Sequence, residues 1–273
     1  MKKNIFREVL ESKIHGKLRE ILEYKMIEVE RSKEKMSFDA LMDLVKKTPY
    51  THREFASALH VQNGVSLIAE IKKASPSEGS IRADDDIIAR AKLYESSGAH
   101  AISVLTDEKF FGGSLTYLSQ VKKETTIPIL RKDFIIDPYQ VYESKLYGAD
   151  AILLIATVLR EETLIEFVDL AHELGLECLV ETHTKEDIEK ALKTNARVIG
   201  INARDLQTFE IDLENIVKLA SCIPVDKIIV AESGIESSTD VMRLKQSGVN
   251  GILVGTALMR THDVEEKIRE LMC

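Results

Sequence analysis

The stretch SLIAEIKKASPSEGS, residues 66–80, decides the fold because it joins an apolar strand to charged residues and then to a small, polar loop. Alternate side chains of a strand point to opposite faces, so Glu70 and Lys72 are predicted to lie side by side. A carboxylate and an ammonium at the end of an apolar strand are costly to bury without partners. They indicate either a structural ion pair or a functional site, and this stretch alone leaves both open.

The same pattern recurs along the chain, where short apolar runs rich in β-branched residues alternate with amphipathic helical stretches. Because the runs are apolar on both faces, they are typical of parallel strands covered by helices. Strands are predicted at 67–71, 101–105, 128–131, 151–155, 177–180, 198–201, 228–231 and 251–254. Helices are predicted at 85–97, 115–124, 138–147, 161–174, 185–193, 213–221, 238–248 and 264–272.

Eight strand–helix pairs are the number that closes a (β/α)8 TIM barrel, so we expect an α/β protein of this architecture. Four glycines that precede the next strand are predicted to end helices in the left-handed conformation. A doubly wound open sheet is the alternative, but it needs fewer strands, and no GxGxxG follows the first strand. The four glycines are Gly98, Gly148, Gly175 and Gly248.

An N-terminal helical extension, residues 1–48, precedes the barrel at 66–273, and together they are expected to form a single domain over 1–273. Apolar residues at three- and four-residue steps predict one long helix over 4–35, interrupted near Gly16. Ser37 is placed to cap a second helix, over 38–45. We expect the apolar stripe of the long helix to pack on the barrel and its charged face to be solvated.

The composition limits the partners and the compartment. A net charge of −8 with a pI near 5.5 argues against a nucleic-acid or anionic-membrane surface, and no apolar run approaches the length that spans a bilayer. Three cysteines without CxxC spacing suggest neither disulfides nor a zinc site, and the N-terminus lacks the apolar core of a signal peptide. We expect a cytoplasmic monomer that acts on a small molecule.

Polar residues occupy the carboxyl ends of nearly all the predicted strands, which is where TIM barrels build their active sites. Two lysines, one arginine and three carboxylates in one cavity would shift pKa values in both directions, which suits acid–base catalysis. For any single member the alternative is a salt bridge at the barrel rim. We call the set of Glu70, Lys72, Lys132, Glu181, Arg204 and Glu232 the charged ring; Thr106, Asp107, Asp133, Phe134, Asn202, Ser233, Gly255 and Thr256 also follow strands.

The last two strands end in AESGI and VGTA, where small residues leave backbone N–H groups available to an anion. This is the common phosphate site of TIM barrels, so a phosphorylated substrate is predicted. No HExxH, GxSxG or Walker motif is present, and residues 84–86, three aspartates, are interpreted as a helix N-cap region rather than a metal cluster. We expect the reaction to need no metal and no cofactor.

Seven segments, in order along the barrel, resemble the indole-3-glycerol phosphate synthase family. The resemblance implies ring closure, decarboxylation and dehydration of 1-(2-carboxyphenylamino)-1-deoxyribulose 5-phosphate, a carbon–carbon lyase (carboxy-lyase) reaction of tryptophan biosynthesis. Two residues depart from the forms typical of the family, Ala203 and Thr256, and both lie beside motif residues. The segments are AEIKKASPS (69–77), ILRKDF (129–134), GADAILLI (148–155), VET (180–182), IGINARDL (199–206), VAESGI (230–235) and VGTALM (254–259).

The resemblance also implies a role for each site residue. Lys132 is the expected general acid, with its pKa lowered by neighbouring Phe134 and by Leu153 or Leu154, and Glu181 is the second acid–base group. Glu70 is expected to hold Lys72, although which lysine acts first stays open. The implied catalytic set is Lys132, Glu181, Lys72, Glu70 and Asn202; the substrate-binding set is Ser75, Pro76, Phe111, Phe134, Leu153, Arg204, Leu206 and Glu232; the phosphate-binding set is Ser233, Gly234, Gly255 and Thr256.

Two other functions fit the same residues. One is a different phosphate-binding barrel enzyme, such as an isomerase of a phosphoribosyl compound or an aldolase that uses Lys132 as a Schiff-base nucleophile. The other is a barrel without catalytic activity that binds a sugar phosphate or serves as a scaffold.

Overall fold

A computed structural model of the chain describes residues 14–62, 64–76, 79–80, 86–205, 208 and 210–272. The barrel strands are β1 (Ser66–Ile71), β4 (Ala101–Leu105), β5 (Ile129–Lys132), β6 (Ala151–Ile155), β7 (Glu177–Thr182), β8 (Val198–Asn202), β9 (Ile228–Glu232) and β10 (Gly251–Val254), and β2 (Ala74–Ser75) and β3 (Gly79–Ser80) form a separate hairpin. The eight parallel strands close in the order β1-β10-β9-β8-β7-β6-β5-β4. The expected (β/α)8 TIM barrel is therefore confirmed.

Helices cover the outside of the barrel, and in the described part of the chain three further helices precede β1. Leucine, isoleucine and valine of the strands are buried against them, so that β1, for example, is buried at all six positions. The helices are α1 (Gly16–Lys35), α2 (Phe38–Lys47), α3 (Phe55–Ala58), α4 (Ile87–Ser96), α5 (Glu108–Phe111), α6 (Leu115–Glu124), α7 (Pro138–Leu146), α8 (Glu161–Glu173), α9 (Lys185–Ala191), α10 (Leu213–Ala220), α11 (Ser238–Gln246), α12 (Thr256–Arg260) and α13 (Val264–Leu271).

Several strands extend further than the sequence predicts, and most of them do so at their carboxyl ends. β5 includes Lys132, β8 includes Asn202 and β9 includes Glu232. The reason is that the backbones of these polar residues still pair with a neighbouring strand, since the register matches Asn202 with Glu232 and Leu105 with Lys132. The barrel therefore holds these side chains on rigid strands rather than on loops, which favours a precise site geometry.

The four helix-ending glycines behave as predicted, with φ angles of +98° at Gly98, +88° at Gly148, +70° at Gly175 and +93° at Gly248. Asp86 accepts hydrogen bonds from the N–H groups of residues 88 and 89 and so caps α4; residues 84 and 85 lie outside the described part. The sequence pattern does not predict α3, α5 or the β2–β3 hairpin, because each is too short to show a period.

The N-terminal extension crosses the carboxyl ends of the strands. α1 begins at Gly16, where an interruption is expected, and residues 1–13 lie outside the described part. Leu18 and Leu22 belong to the main hydrophobic core, which confirms that the apolar stripe packs on the barrel. Lys25 is a correction to the expected solvated face, because its side chain is fully buried and pairs with Asp107 and Asp133.

The opposite end of the barrel is closed by the segment that precedes β1. Phe55 and Leu59 are fully buried there, and the Glu177 carboxylate at the start of β7 accepts the Phe55 backbone N–H at 2.6 Å. α2 packs instead against α7, with Leu41 and Tyr139 in a small separate cluster. No helix in the described part of the chain is both long and apolar enough to cross a membrane.

Candidate active site

The carboxyl ends of the barrel strands surround two adjoining cavities. Hydrophobic side chains line most of the first, which we call the apolar cavity, and the loops after β9 and β10 line the second, which we call the polar cavity. Five residues line both cavities and therefore mark the junction between them: Glu70, Lys72, Lys132, Arg204 and Ser233.

Lys132 lies at this junction at the end of β5. Its Nζ atom is 3.1 Å from Glu181 Oε2 and 3.1 Å from Glu232 Oε2. Burial alone would lower the pKa of Lys132, but the carboxylates of Glu181 and Glu232 outweigh it and hold the pKa well above its ordinary value. The side chain is therefore an ammonium, able to donate a proton or stabilise negative charge.

Glu181 is buried near the carboxyl end of β7, and its carboxylate contacts Lys132. Burial would raise the pKa of its carboxyl, but the Lys132 ammonium, nearby His183 and hydrogen bonds from Lys132 and Asn202 hold the pKa below its ordinary value. Asn202 in turn accepts the backbone N–H of Arg204 at 3.0 Å, which orients its amide. Glu181 is thus an ionised carboxylate in a dry setting, which suits a general base.

Glu232 is the opposite case, although it contacts the same ammonium. Burial, together with the negative charge of Glu181, raises its pKa to about 8, despite the opposing effect of Lys132. One of its oxygens is buried without a hydrogen-bond partner and lies against Gly200, where any side chain would collide with it. The pair of carboxylates around one lysine therefore contains one base and one proton carrier near neutral pH.

Glu70 and Lys72 lie side by side as predicted, with Lys72 Nζ 3.0 Å from Glu70 Oε1. A side chain at Gly255 would collide with the Glu70 carboxylate, so glycine at this position permits β1 and the loop after β10 to approach closely. The ion pair points Lys72 toward both cavities, where its remaining donors are available to an anionic ligand.

The apolar cavity has the character of a site for a flat ring. The rings of Phe111 and Phe134 lie 6.1 Å apart at 38°, a separation typical of interacting aromatic side chains. Pro76 from the hairpin and Leu153 from β6 complete the walls, and Arg204 stands at the polar edge. Leu18 and Ile21 of α1 also line this cavity.

The polar cavity lies beside the loops after β9 and β10. Ser233 is the non-glycine residue with positive φ in the described part of the chain, at +67°, and Gly234 follows at +72°. Successive residues of this kind turn backbone N–H groups toward one point and form an anion-binding concavity. Gly255 and Thr256 line the other side, so four small residues surround the space.

Three residues predicted at the strand ends belong to a different cluster. Asp133 pairs with Lys25 at 2.8 Å and with Arg131 at 2.9 Å, and it accepts the Thr106 hydroxyl at 2.6 Å. Asp107 lies 2.9 Å from the same Lys25 Nζ. This buried cluster lies beneath α1 and supports the site, and Asp133 also lines the apolar cavity.

A possible metal-ligating group lies at the far end of the barrel. The ligand atoms of His52, Glu54 and Glu177 lie within 4.8 Å of one another. The Glu177 carboxylate, however, already accepts the N–H groups of Phe55 and Ala56 at the start of α3. Its position at the amino ends of the strands separates it from both cavities.

The chain matches the family model described as indole-3-glycerol phosphate synthase over residues 18–271. The chain belongs to this family. It is 49% identical over 248 residues to the "Indole-3-glycerol phosphate synthase" of Dehalococcoides mccartyi (strain CBDB1), covering 90% of this chain and 95% of that protein. It is 46% identical over 255 residues to the protein of the same name from Acetivibrio thermocellus, covering 93% and 98%.

The indole-3-glycerol phosphate synthase family is the expected one, so the predicted family and the predicted carboxy-lyase of tryptophan biosynthesis are confirmed. A solved chain of the tryptophan synthase α2β2 complex from Pyrococcus furiosus superposes with a TM-score of 0.57 at 16% identity, over 76% of this chain and 98% of that one. That similarity concerns the fold alone.

The predicted site residues line the two cavities, except Leu206, which lies outside the described part. The expected lowering of the Lys132 pKa is wrong, because its two carboxylate partners outweigh its apolar neighbours. Of the two leucines considered, Leu153 lines the apolar cavity. Leu18 and Ile21 also line the apolar cavity but were not predicted as site residues, although both lie in the apolar stripe of α1.

Proposed function

We propose that the charged ring carries out the reaction of the family, with Lys132 as general acid and Glu181 as general base. The reaction closes the indole ring of 1-(2-carboxyphenylamino)-1-deoxyribulose 5-phosphate and releases carbon dioxide and water. The observation that carries the proposal is the position of Lys132 Nζ, 3.1 Å from both Glu181 and Glu232 at the junction of an apolar and a polar cavity. An acid, a base and a proton carrier therefore meet where the two ends of the substrate join.

The shape of the site suits the two ends of this substrate. The carboxyphenyl ring fits the apolar cavity between Phe111 and Phe134, with Pro76 and Leu153 as its other walls. Its carboxylate then approaches Arg204, whose guanidinium can bind it in a bidentate manner; Asn202 and Ser75 line the same cavity. Leu206 stays an expected contact of the ring.

The phosphate fits the polar cavity, where Ser233, Gly234, Gly255 and Thr256 provide hydroxyl and backbone N–H donors. Lys72, held by Glu70 at 3.0 Å, adds positive charge beside both anionic groups of the substrate. Binding at both ends places the ketone carbon at the junction, next to Lys132, and this positioning is itself a large part of catalysis.

In the first step the ring carbon that bears the carboxylate attacks the ketone carbon, and Lys132 donates a proton to the ketone oxygen. Loss of carbon dioxide restores the aromatic ring. Glu232, which carries a proton below about pH 8, can return a proton to Lys132 across their 3.1 Å contact. Lys132 then protonates the departing hydroxyl, and Glu181 removes the proton from the adjacent carbon as the second ring becomes aromatic.

The raised pKa of Lys132 disfavours the aldolase alternative, because a Schiff-base nucleophile must be a neutral amine. Borohydride added with the substrate tests this directly. A covalent adduct at Lys132 would support the aldolase, and its absence together with formation of the fluorescent indole product supports the proposed reaction.

The decisive experiment for the roles is Glu181→Gln, which keeps the size of the side chain but removes the base. We expect turnover to fall on the order of 10²-fold with little change in KM. A variant that loses affinity but keeps turnover would move Glu181 from catalysis to binding.

We further propose that the protein is a cytoplasmic monomer. The large hydrophobic side chains that are exposed in the described part lie on different helices and loops: Ile27, Leu44, Leu93, Ile211, Val225 and Met242. Cys178 and Cys222 are free thiols, which fits a reducing compartment. Light scattering should give the mass of one chain, 30.7 kDa, and twice that mass would contradict the monomer.

A further inference from the structure

His183 lies behind Glu181, outside the residues that line the two cavities. Its Nε2 atom is 3.5 Å from Glu181 Oε1, is buried, and has no hydrogen-bond partner. Buried polar atoms are almost always hydrogen-bonded, so an orphaned ring nitrogen that faces a catalytic carboxylate requires a physical reason.

The other ring nitrogen identifies the tautomer. His183 Nδ1 lies 3.2 Å from Thr157 Oγ1, and Thr157 Oγ1 lies 2.7 Å from Asp187 Oδ2. A hydroxyl has one proton, and the carboxylate of Asp187 can only accept, so the threonine donates to Asp187. Thr157 must therefore accept from His183, which places a proton on Nδ1. In the neutral form of the imidazole, Nε2 then carries a lone pair.

In this neutral form no proton lies between His183 Nε2 and Glu181 Oε1, so the two atoms form no hydrogen bond. The lone pair of Nε2 faces Oε1 of an ionised carboxylate, whereas the other oxygen, Oε2, already accepts from Lys132 at 3.1 Å. One additional proton between Nε2 and Oε1 would turn this unfavourable contact into a charge-assisted hydrogen bond. The geometry is that of a pair that is ready to receive a proton.

We propose that His183 is a proton relay for Glu181, a role that rests on the proposed function of Glu181 as the base. When Glu181 takes the proton released by the substrate, the O–H bond on Oε1 breaks and an N–H bond forms on Nε2. The products are a regenerated carboxylate and an imidazolium, so charge and atoms balance. Lys132 contacts the other carboxylate oxygen, Oε2, so the two oxygens of Glu181 face different groups and Oε1 faces His183.

The surroundings of His183 suit a transient imidazolium. Asp187 accepts the backbone N–H of His183 at 3.2 Å and holds Thr157, so the chain of hydrogen bonds ends on a buried carboxylate. The charged groups that face the pair are Lys132 on the cavity side and Asp187 with Lys190 from α9, where Lys190 lies 3.6 Å from Asp187. The imidazole is 12% exposed against 2% for the Glu181 side chain, so it lies on the route to solvent.

The test uses His183→Ala and His183→Gln, measured in single turnovers so that product release does not hide the proton step. The alanine variant leaves space for an added imidazole, and the glutamine variant keeps a polar side chain that cannot exchange a proton. We expect both to lose about tenfold in rate with unchanged KM, a modest share of what acid–base groups contribute. Free imidazole should restore the alanine variant toward the wild-type rate and leave His172→Ala, a variant at the far end of the barrel, unaffected.

A double variant separates the relay from a structural role. If His183 acts through Glu181, His183→Ala should cost nothing further in a Glu181→Gln background, since residues that act as a unit are not additive. Additive losses, or a folded His183→Ala protein that imidazole does not restore, would overturn the relay. If Glu181→Gln itself keeps its turnover, the proposed base has failed; if only His183→Ala is silent, the relay alone has failed.

Discussion

Two buried lysines at the same end of the barrel are each held by carboxylates, two around Lys132 and three around Lys25, where Glu28 joins two aspartates. Only Lys132 faces a cavity. Lys132 Nζ lies 3.1 Å from Glu181 and from Glu232, and its side chain is 16% exposed. Lys25 is held between two aspartates beneath α1, and its side chain is 0% exposed. The same chemical groups thus occur once in an open site and once in a sealed one.

The sealed cluster satisfies its charges from within. Both oxygens of Asp133 are bonded, Oδ1 to Lys25 and the Phe134 N–H, and Oδ2 to Thr106 and Arg131. Burial would raise the pKa of Asp133, but the Lys25 and Arg131 cations hold it well below its ordinary value. Burial lowers the pKa of Lys25 less than its aspartates raise it, so this lysine also stays charged.

Asp107 Oδ2 has no hydrogen bond, but it lies 2.9 Å from the Lys25 ammonium. The open site, in contrast, contains buried polar atoms with neither a hydrogen bond nor a cation beside them. Glu232 Oε1 and His183 Nε2 are buried and have no hydrogen bond, and both belong to residues around Lys132. A cluster in which each charge faces an opposite charge stabilises and positions the strand ends, whereas unbonded atoms beside a cavity can gain or lose a proton without breaking a network. The difference between the lysines therefore predicts where stability and where activity will be lost.

The largest effect is expected from Lys25→Met, which leaves the buried aspartates of its cluster without a cation. Breaking a buried pair by removing one partner costs about 3–5 kcal/mol, so the free energy of unfolding should fall by that amount. Denaturant unfolding of the variant measures it. The control is Lys17→Met on the same helix, where Lys17 is 33% exposed and pairs with Glu20, and its loss should stay below about 1 kcal/mol. Equal losses of unfolding free energy in the two variants would show that the buried Lys25 cluster stabilises the fold no more than a surface ion pair does.

Lys132→Met should reverse this pattern, with a large loss of activity and a small loss of stability. Removal of the proposed general acid is expected to lower kcat on the order of 10²-fold while KM changes little. Its thermal midpoint should fall less than that of Lys25→Met, because Glu232 is protonated near neutral pH and the cavity admits water. Steady-state kinetics and thermal unfolding of both variants decide it; a Lys132→Met protein less stable than Lys25→Met would show that both clusters are structural.

The barrel and most of the open site could be predicted from the sequence, because eight apolar runs and the polar residues after them are local patterns. The sealed cluster was missed, although Lys25 stands in the apolar stripe of α1, three residues after Leu22 and four before Val29. Its partners Asp107 and Asp133 come from distant strands, and only the closed barrel brings them together. The tertiary structure also decides whether a side chain at a strand end points into a cavity, as Lys132 does, or into the sealed cluster, as Asp133 does.

The sign of the Lys132 pKa shift shows the same limit. Its apolar neighbours are visible in the sequence and favour a lowered pKa, whereas the two carboxylates that outweigh them come from β7 and β9. The His183–Thr157–Asp187 chain also joins two different loops, so neither the VETH stretch nor its spacing indicates a relay.

Glu232→Gln sharpens the comparison through the pH dependence of stability. Because the folded-state pKa of Glu232 is raised from 4.5 to about 8, the folded protein binds a proton that the unfolded chain releases in this range. Protonated Glu232 therefore adds to the free energy of unfolding. This added stability is fully present below the unfolded pKa of 4.5, and it is lost as pH rises toward about 8. The variant has no such proton, so its thermal midpoint relative to wild type should rise between these two pH values. A constant difference would show that Glu232 is ionised throughout.

The smallest effect is expected at Ser233, where the open site contains a strained backbone. Positive φ costs a residue with a side chain on the order of 1 kcal/mol, and glycine adopts it freely, so Ser233→Gly should be more stable than wild type by up to that amount. Ser233→Ala keeps the strain and should show no gain. Both variants lose the hydroxyl that faces the polar cavity, and a lost hydrogen bond to phosphate should raise KM about fivefold with kcat nearly unchanged.

The two Ser233 variants separate the effect of backbone strain on stability from the effect of the hydroxyl on phosphate binding. Thermal unfolding measures the strain, and KM for the phosphorylated substrate measures the hydroxyl contact. If Ser233→Gly gains stability but keeps the wild-type KM, the positive φ serves only the turn after β9, and the phosphate lies elsewhere. If both variants lose affinity equally while only the glycine variant gains stability, the strained conformation is maintained for the ligand at the expense of the fold.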